Sequence, residues 1–165
     1  MKTNLLLLLL CGSMAALLAG CGAARPAQTE EPGEPLDITA FSFCHTASFA
    51  GDCFALTLTR EDTGIHLYAE ELFSGGRIAD TEIEGDALER LGELVGTHHL
   101  LRWDGFEKNK KNVSDGSTFT LSFTLSDGTA VSAHGNNAFP ENYADVYAAI
   151  RALYDEVMEE HGLPT

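Results

Sequence analysis

Long apolar stretches are missing from this chain. Its longest run of large apolar side chains is Leu5 to Leu10, and Cys11-Gly12-Ser13 interrupts it. A membrane-spanning helix needs about 20 consecutive apolar residues, so this segment does not span a bilayer. Basic residues are scarce as well. Ten Lys and Arg stand against 25 Asp and Glu, a formal net charge of −15. Such a chain is repelled by phosphate backbones, which excludes nucleic-acid binding. There is no Cys-x-x-Cys pair, which argues against a thiol redox enzyme. No His-x-x-x-His or His-Glu-x-x-His spacing occurs among the six histidines, and no Gly-x-Ser-x-Gly elbow presents a serine nucleophile. Asp104-Gly105, Asp115-Gly116 and Asp127-Gly128 lack the alternating ligands of an EF-hand loop and read as turns. Gly75-Gly76 lacks the lysine of a phosphate-binding loop. No metal or cofactor is expected.

What is present begins at the N-terminus. Lys2 precedes the apolar run, the layout of a signal peptide. That segment closes on Leu18-Ala19-Gly20-Cys21, a cysteine after a leucine and two small residues. The stretch resembles the lipobox of bacterial lipoproteins. The resemblance implies a diacylglyceryl group on the Cys21 thiol, cleavage before Cys21, and attachment to the extracytoplasmic face of the cell membrane. Two acyl chains hold firmly where one binds reversibly, since each buried CH₂ contributes about 0.8 kcal/mol. Loss of residues 1–20 removes Lys2 and no acid, so the mature formal charge falls to −16.

Residues 21–35 are rich in Pro, Glu and small side chains. They hold no large apolar residue to offset ordering entropy and are expected to be a disordered tether. Residues 36–165 are expected to form one globular domain. Phe41 and Phe43 alternate with Ala40, Ser42 and Cys44. Phe54, Leu56 and Leu58 alternate after them, and Asp62-Thr63-Gly64 turns into Ile65 and Leu67. A further short strand is possible over residues 77–83. Asp86 is placed to cap a helix whose stripe is Ala87, Leu88, Leu91, Leu94 and Val95, with Gly96 as its end. Phe119, Leu121, Phe123 and Leu125 form a strand that returns through Ser126-Asp127-Gly128 to Val131 and Ala133. A last helix over 141–160 carries Tyr143, Val146, Tyr147, Ile150, Leu153, Tyr154, Val157 and Met158 on one face, with Pro140 before it and Gly162 after it. The order β-β-β-α-β-β-α predicts an α+β domain: one antiparallel sheet with two helices packed on one face.

Cys11 leaves with the leader and Cys21 takes lipid, so Cys44 and Cys53 remain. A register that sets Phe43 opposite Phe54 also sets Cys44 opposite Cys53, close enough for a disulfide in an oxidising compartment. The alternative is two reduced thiols, as in an organism without an oxidation pathway. His45, His66 and His134 are expected to face outward.

Leu101 to Lys111 joins the first helix to the late hairpin. It holds Trp103, the only tryptophan, and Lys108, Lys110 and Lys111, the only lysines after Lys2. Trp103, Phe106 and these lysines form a candidate partner-binding patch. The competing expectation is that Trp103 and Phe106 plug the end of the sheet while the lysines are solvated. Trp103 to Phe106, Ser122 to Leu125 and Asn137 to Pro140 also resemble stretches of small, uncharacterised lipoproteins of Gram-positive bacteria, a resemblance that implies no activity. The expected function is a lipid-anchored, non-enzymatic binding domain with an extracytoplasmic protein or cell-wall partner. The alternatives are a hydrolase with dispersed carboxylates and histidines, or a structural lipoprotein of envelope assembly.

Overall fold

The computed structural model describes residues 33–48, 53–72, 76, 78–111, 113 and 116–164. The leader, Cys21 and the spacer up to residue 32 lie outside the described residues. Seven strands form one sheet: β1 (Ile38–Ala47), β2 (Phe54–Arg60), β3 (Ile65–Glu71), β4 (Ile78–Ile83), β5 (Phe106–Asn109), β6 (Ser117–Leu125) and β7 (Ala130–Asn136). The helices are α1 (Ala87–Thr97) and α2 (Tyr143–Glu160), and a 3₁₀ turn, Leu100–Trp103, links α1 to β5. The spatial strand order is β4-β3-β2-β1-β6-β7-β5.

The α+β class holds, with two corrections to the expected topology. The sheet is mixed, because β5 runs parallel to β7 while every other pairing is antiparallel. It also has seven strands among the described residues, where five and a possible sixth over 77–83 were expected. β4 comes from the 77–83 segment, and β5 from a stretch that reads as a connection. The four residues of β5, Phe-Glu-Lys-Asn, carry no apolar alternation. Their strand state depends on β7, whose ladder places Phe106 beside Ala133 and Asn109 beside Asn136.

One face of the sheet builds the core. Phe41, Phe43, Phe54, Leu56, Leu58, Leu67, Phe119, Leu121 and Phe123 are almost wholly buried against Leu88, Leu91 and Val95 of α1 and Val146, Ile150, Tyr154 and Val157 of α2. The period-two pattern of the strands and the three-and-four pattern of the helices therefore meet on a single apolar layer. The β6–β7 hairpin closes as expected. Gly128 adopts φ +86°, and the Asp127 carboxylate accepts the Thr129 N–H at 2.8 Å.

Both expectations at the ends of α1 need correction. Asp86 occupies the N-cap position, but its side chain makes no capping hydrogen bond and lies 3.5 Å from Arg90 instead. Gly96 does not terminate the helix, which runs on to Thr97. Gly92 and Gly96 are instead flat places on which the incoming chain lies. Leu36 N–H donates to Gly92 O at 3.2 Å, and a Cβ on Gly96 would strike the Glu34 carbonyl. The ordered domain thus takes in Gly33, Glu34 and Pro35, three residues assigned to the tether from composition.

Candidate functional site

The expected patch around Trp103 divides in two. Trp103 itself is 4% exposed, so its ring belongs to the core and is not a surface recognition element. It meets Phe119 edge-on at 5.7 Å and stacks on Tyr143 at 5.9 Å. Its indole N–H donates to Asn142 Oδ1 at 3.0 Å, and Asn142 Nδ2 donates to His98 O at 3.0 Å. The ring ties the 3₁₀ turn to the start of α2.

Phe106 is half-buried, 6.0 Å from Phe119, and Lys108 Nζ sits 5.0 Å from the Phe106 ring centre. β5 is the edge of the sheet, and Lys108, Lys110 and Lys111 are all exposed. Phe139 reaches the same end: it stacks 5.8 Å from Phe119 and is 38% exposed. The structure therefore brings Phe106 and Phe139 against one buried ring, Phe119, with Lys108 over Phe106, while Lys110 and Lys111 follow along the edge. Lysines on an edge strand also discourage strand-to-strand aggregation.

The arginines behave differently. Arg90 reaches Glu156 at 2.6 Å and Glu160 at 2.9 Å, pinning α1 to α2. Arg151 reaches Glu71 at 2.8 Å and lies over Phe54 and Tyr154. Among the described residues no ion pair reaches Lys108, Lys110 or Lys111.

Among the described residues no helix covers the opposite face of the sheet. Its rows follow from the registers. One runs Asp80, Tyr68, Thr57, Ser42, Ser122, Ser132; the next runs Glu70, Ala55, Cys44, Thr120, His134. Across the central strands β2, β1 and β6 this face is uncharged and composed of small side chains, mostly hydroxyls. Ser42 and Thr57 hydroxyls are 3.1 Å apart. Acids and aromatics gather at the β3–β4 side, where His66 Nε2 is 2.9 Å from Asp80 and the Tyr68 hydroxyl donates to Glu70 at 2.7 Å. The Glu70 contact raises the Tyr68 pKa above its ordinary value. The His66–Asp80 pair lies on the outer face of β3 and β4, with both side chains partly exposed.

His66 and His134 lie on this outer face, as expected. His45 does not, which corrects its expected position. Position 45 continues the phase of Phe41 and Phe43, so its ring turns inward, 4.8 Å from Tyr147, with Nδ1 2.7 Å from the Tyr143 hydroxyl. Burial pushes the Tyr143 phenol far up in pKa, with Tyr147 and Cys44 adding smaller effects. Strand parity alone contained the signal for this placement.

The register proposed for the cysteines is also corrected. β1 pairs with β2 two residues out of the expected alignment: Phe43 lies opposite Leu56, and Cys44 opposite Ala55. Cys44 and Cys53 become diagonal neighbours, and both are free thiols here. The Cys53 sulfur accepts the Ala47 N–H at 2.9 Å. The Cys44 pKa is raised by burial, then by Cys53 and Glu70.

An open cleft of about 330 Å³ lies between the β2–β3 turn and the end of β4, lined by Arg60, Glu61, Thr63, Ile83 and Glu84 among others. It offers no histidine beside its single hydroxyl. Among the described residues no three metal-ligating side chains converge, and no helix is long and apolar enough to cross a membrane. Comparison with known protein families, curated proteins and solved structures finds no match.

Proposed function

We propose that this chain is a lipid-anchored extracytoplasmic binding domain without catalytic activity, held to the cell membrane through diacylglycerol on Cys21. The observation that carries the binding role is the open outer face of the sheet. Three central strands present Ser42, Thr57, Ser122, Thr120 and their neighbours as a neutral layer beside a strongly acidic remainder. Small side chains lose little rotamer freedom when covered, and their hydroxyls both donate and accept hydrogen bonds. A flat extracytoplasmic protein surface or a cell-wall polymer fits such a face better than a small molecule, which binds in concave pockets.

Two substitutions test the two halves of this assignment. Cys21→Ala should leave the chain uncut and without acyl label. Ser122→Arg, exposed on β6, should preserve the fold and abolish crosslinking from a photoreactive residue at Thr120 in intact cells. An unchanged crosslinking pattern with Ser122→Arg would move the binding surface elsewhere.

A further inference from the structure

Among the described residues, the exposed large apolar side chains and the three lysines that no ion pair reaches lie on or beside the segment that follows α1, and the chain arriving from the tether lies against the end of α1. Gly33 lies against the Gly96 carbonyl, and a Cβ on it would come within 3.3 Å of His99 Nδ1. His99 opens the 3₁₀ turn that contains Leu101 and leads into β5. Among the described residues the large apolar side chains left exposed are Leu101, Val113 and Phe139, at 44%, 41% and 38%. The first two flank β5 in sequence, and Phe139 shares the Phe119 contact with Phe106. Residues 101–113 carry Arg102, Lys108, Lys110 and Lys111 against Asp104 and Glu107, so this segment is net positive in a chain of net charge −15.

We propose that this end docks on the anionic surface of the bilayer that holds the Cys21 lipid, leaving the outer face of the sheet free for its partner. The inference rests on the anchor at Cys21. Eleven residues lie between Cys21 and Gly33, and a chain of that length reaches at most about 40 Å when fully extended. The bilayer is therefore always within reach of Leu101 and β5. The acidic bulk of the domain does not prevent contact, because charges beyond a Debye length of about 8 Å are largely screened. It orients the domain instead: the acidic sides are repelled, and the lysines are drawn to headgroups while Leu101 and Phe139 meet the interface. A protein partner at this end would not require anionic lipid.

The test uses the mature, lipidated chain in vesicles of phosphatidylcholine alone, or with about 30 mol% phosphatidylglycerol. Flotation with both vesicle types is expected, and failure to float refutes the anchor. On floated protein, hydroxyl-radical oxidation at Leu101, Val113 and Phe139 should fall about threefold or more on the anionic vesicles relative to the neutral ones. Combined Lys108→Gln, Lys110→Gln and Lys111→Gln, with far-UV circular dichroism unchanged, should restore oxidation. Equal oxidation on the two vesicle types overturns the docking while leaving the anchor intact. Protection that survives the triple substitution overturns it too, since proximity or another partner would then be responsible.

Discussion

Replacing Trp103 by alanine separates a packing role from a recognition role in one measurement. The side chain is 4% exposed and touches Phe119 and Tyr143. Truncating a buried Trp or Phe to Ala costs about 3–5 kcal/mol through lost burial and the cavity left behind. The lost indole hydrogen bond strands Asn142 Oδ1 and belongs at the upper part of that range. For a domain of this size, about 4 kcal/mol corresponds to a fall in melting temperature of roughly 10–15 °C. It is also a large share of the 5–15 kcal/mol by which domains are typically stable. Trp103 is the only tryptophan, so its fluorescence disappears with it, and urea unfolding has to be followed by far-UV circular dichroism. Trp103→Phe keeps most of the ring contacts and loses the N–H, so it should cost about 1–2 kcal/mol. A Trp103→Ala variant within about 1 kcal/mol of the parent would refute the core assignment. It would return the ring to the surface patch.

Gly92→Ala, although alanine favours helix by about 1 kcal/mol, should destabilise the domain, because its Cβ would collide with the Leu36 carbonyl. Hydrogen exchange should then accelerate at Leu36, whose amide bonds Gly92. Tyr143 has a folded pKa raised above its ordinary value near 10. Its neutral form is therefore favoured in the fold, and the stability it contributes is present below pH 10 and lost as pH rises beyond it. Urea midpoints measured from pH 8 to pH 11 should fall with a slope that Tyr143→Phe reduces. The raised Cys44 pKa predicts slower iodoacetamide alkylation near pH 8 than for a free cysteine, and Glu70→Gln should shift the rate profile to lower pH. An unshifted profile would remove Glu70 as a contributor.

Local chemistry and periodicity were enough for much of this molecule. The Phe and Leu alternation in β1, β2 and β6, the stripes of α1 and α2, and the Asp127-Gly128 turn each depend on residues within one or two turns or strands. A pattern of period two or 3.6 declares them directly. The same parity would have turned His45 inward. The tertiary structure alone decided the rest. A two-residue slip between β1 and β2 keeps every apolar side chain inside, so periodicity could not choose between the registers; in the one observed, Phe54 packs on Tyr147 of α2 and Cys44 is moved away from Cys53. β5 owes its existence and its parallel direction to a β7 that follows it in sequence. Gly92 and Gly96 are needed because a distant segment lies on them, and a helical pattern holds no record of what will cross it. The composition of residues 101–111 announced lysines and aromatics together. Only the packing around Phe119 could bury Trp103, leave Phe139 at the surface, and set that end of the domain beside the chain's entry.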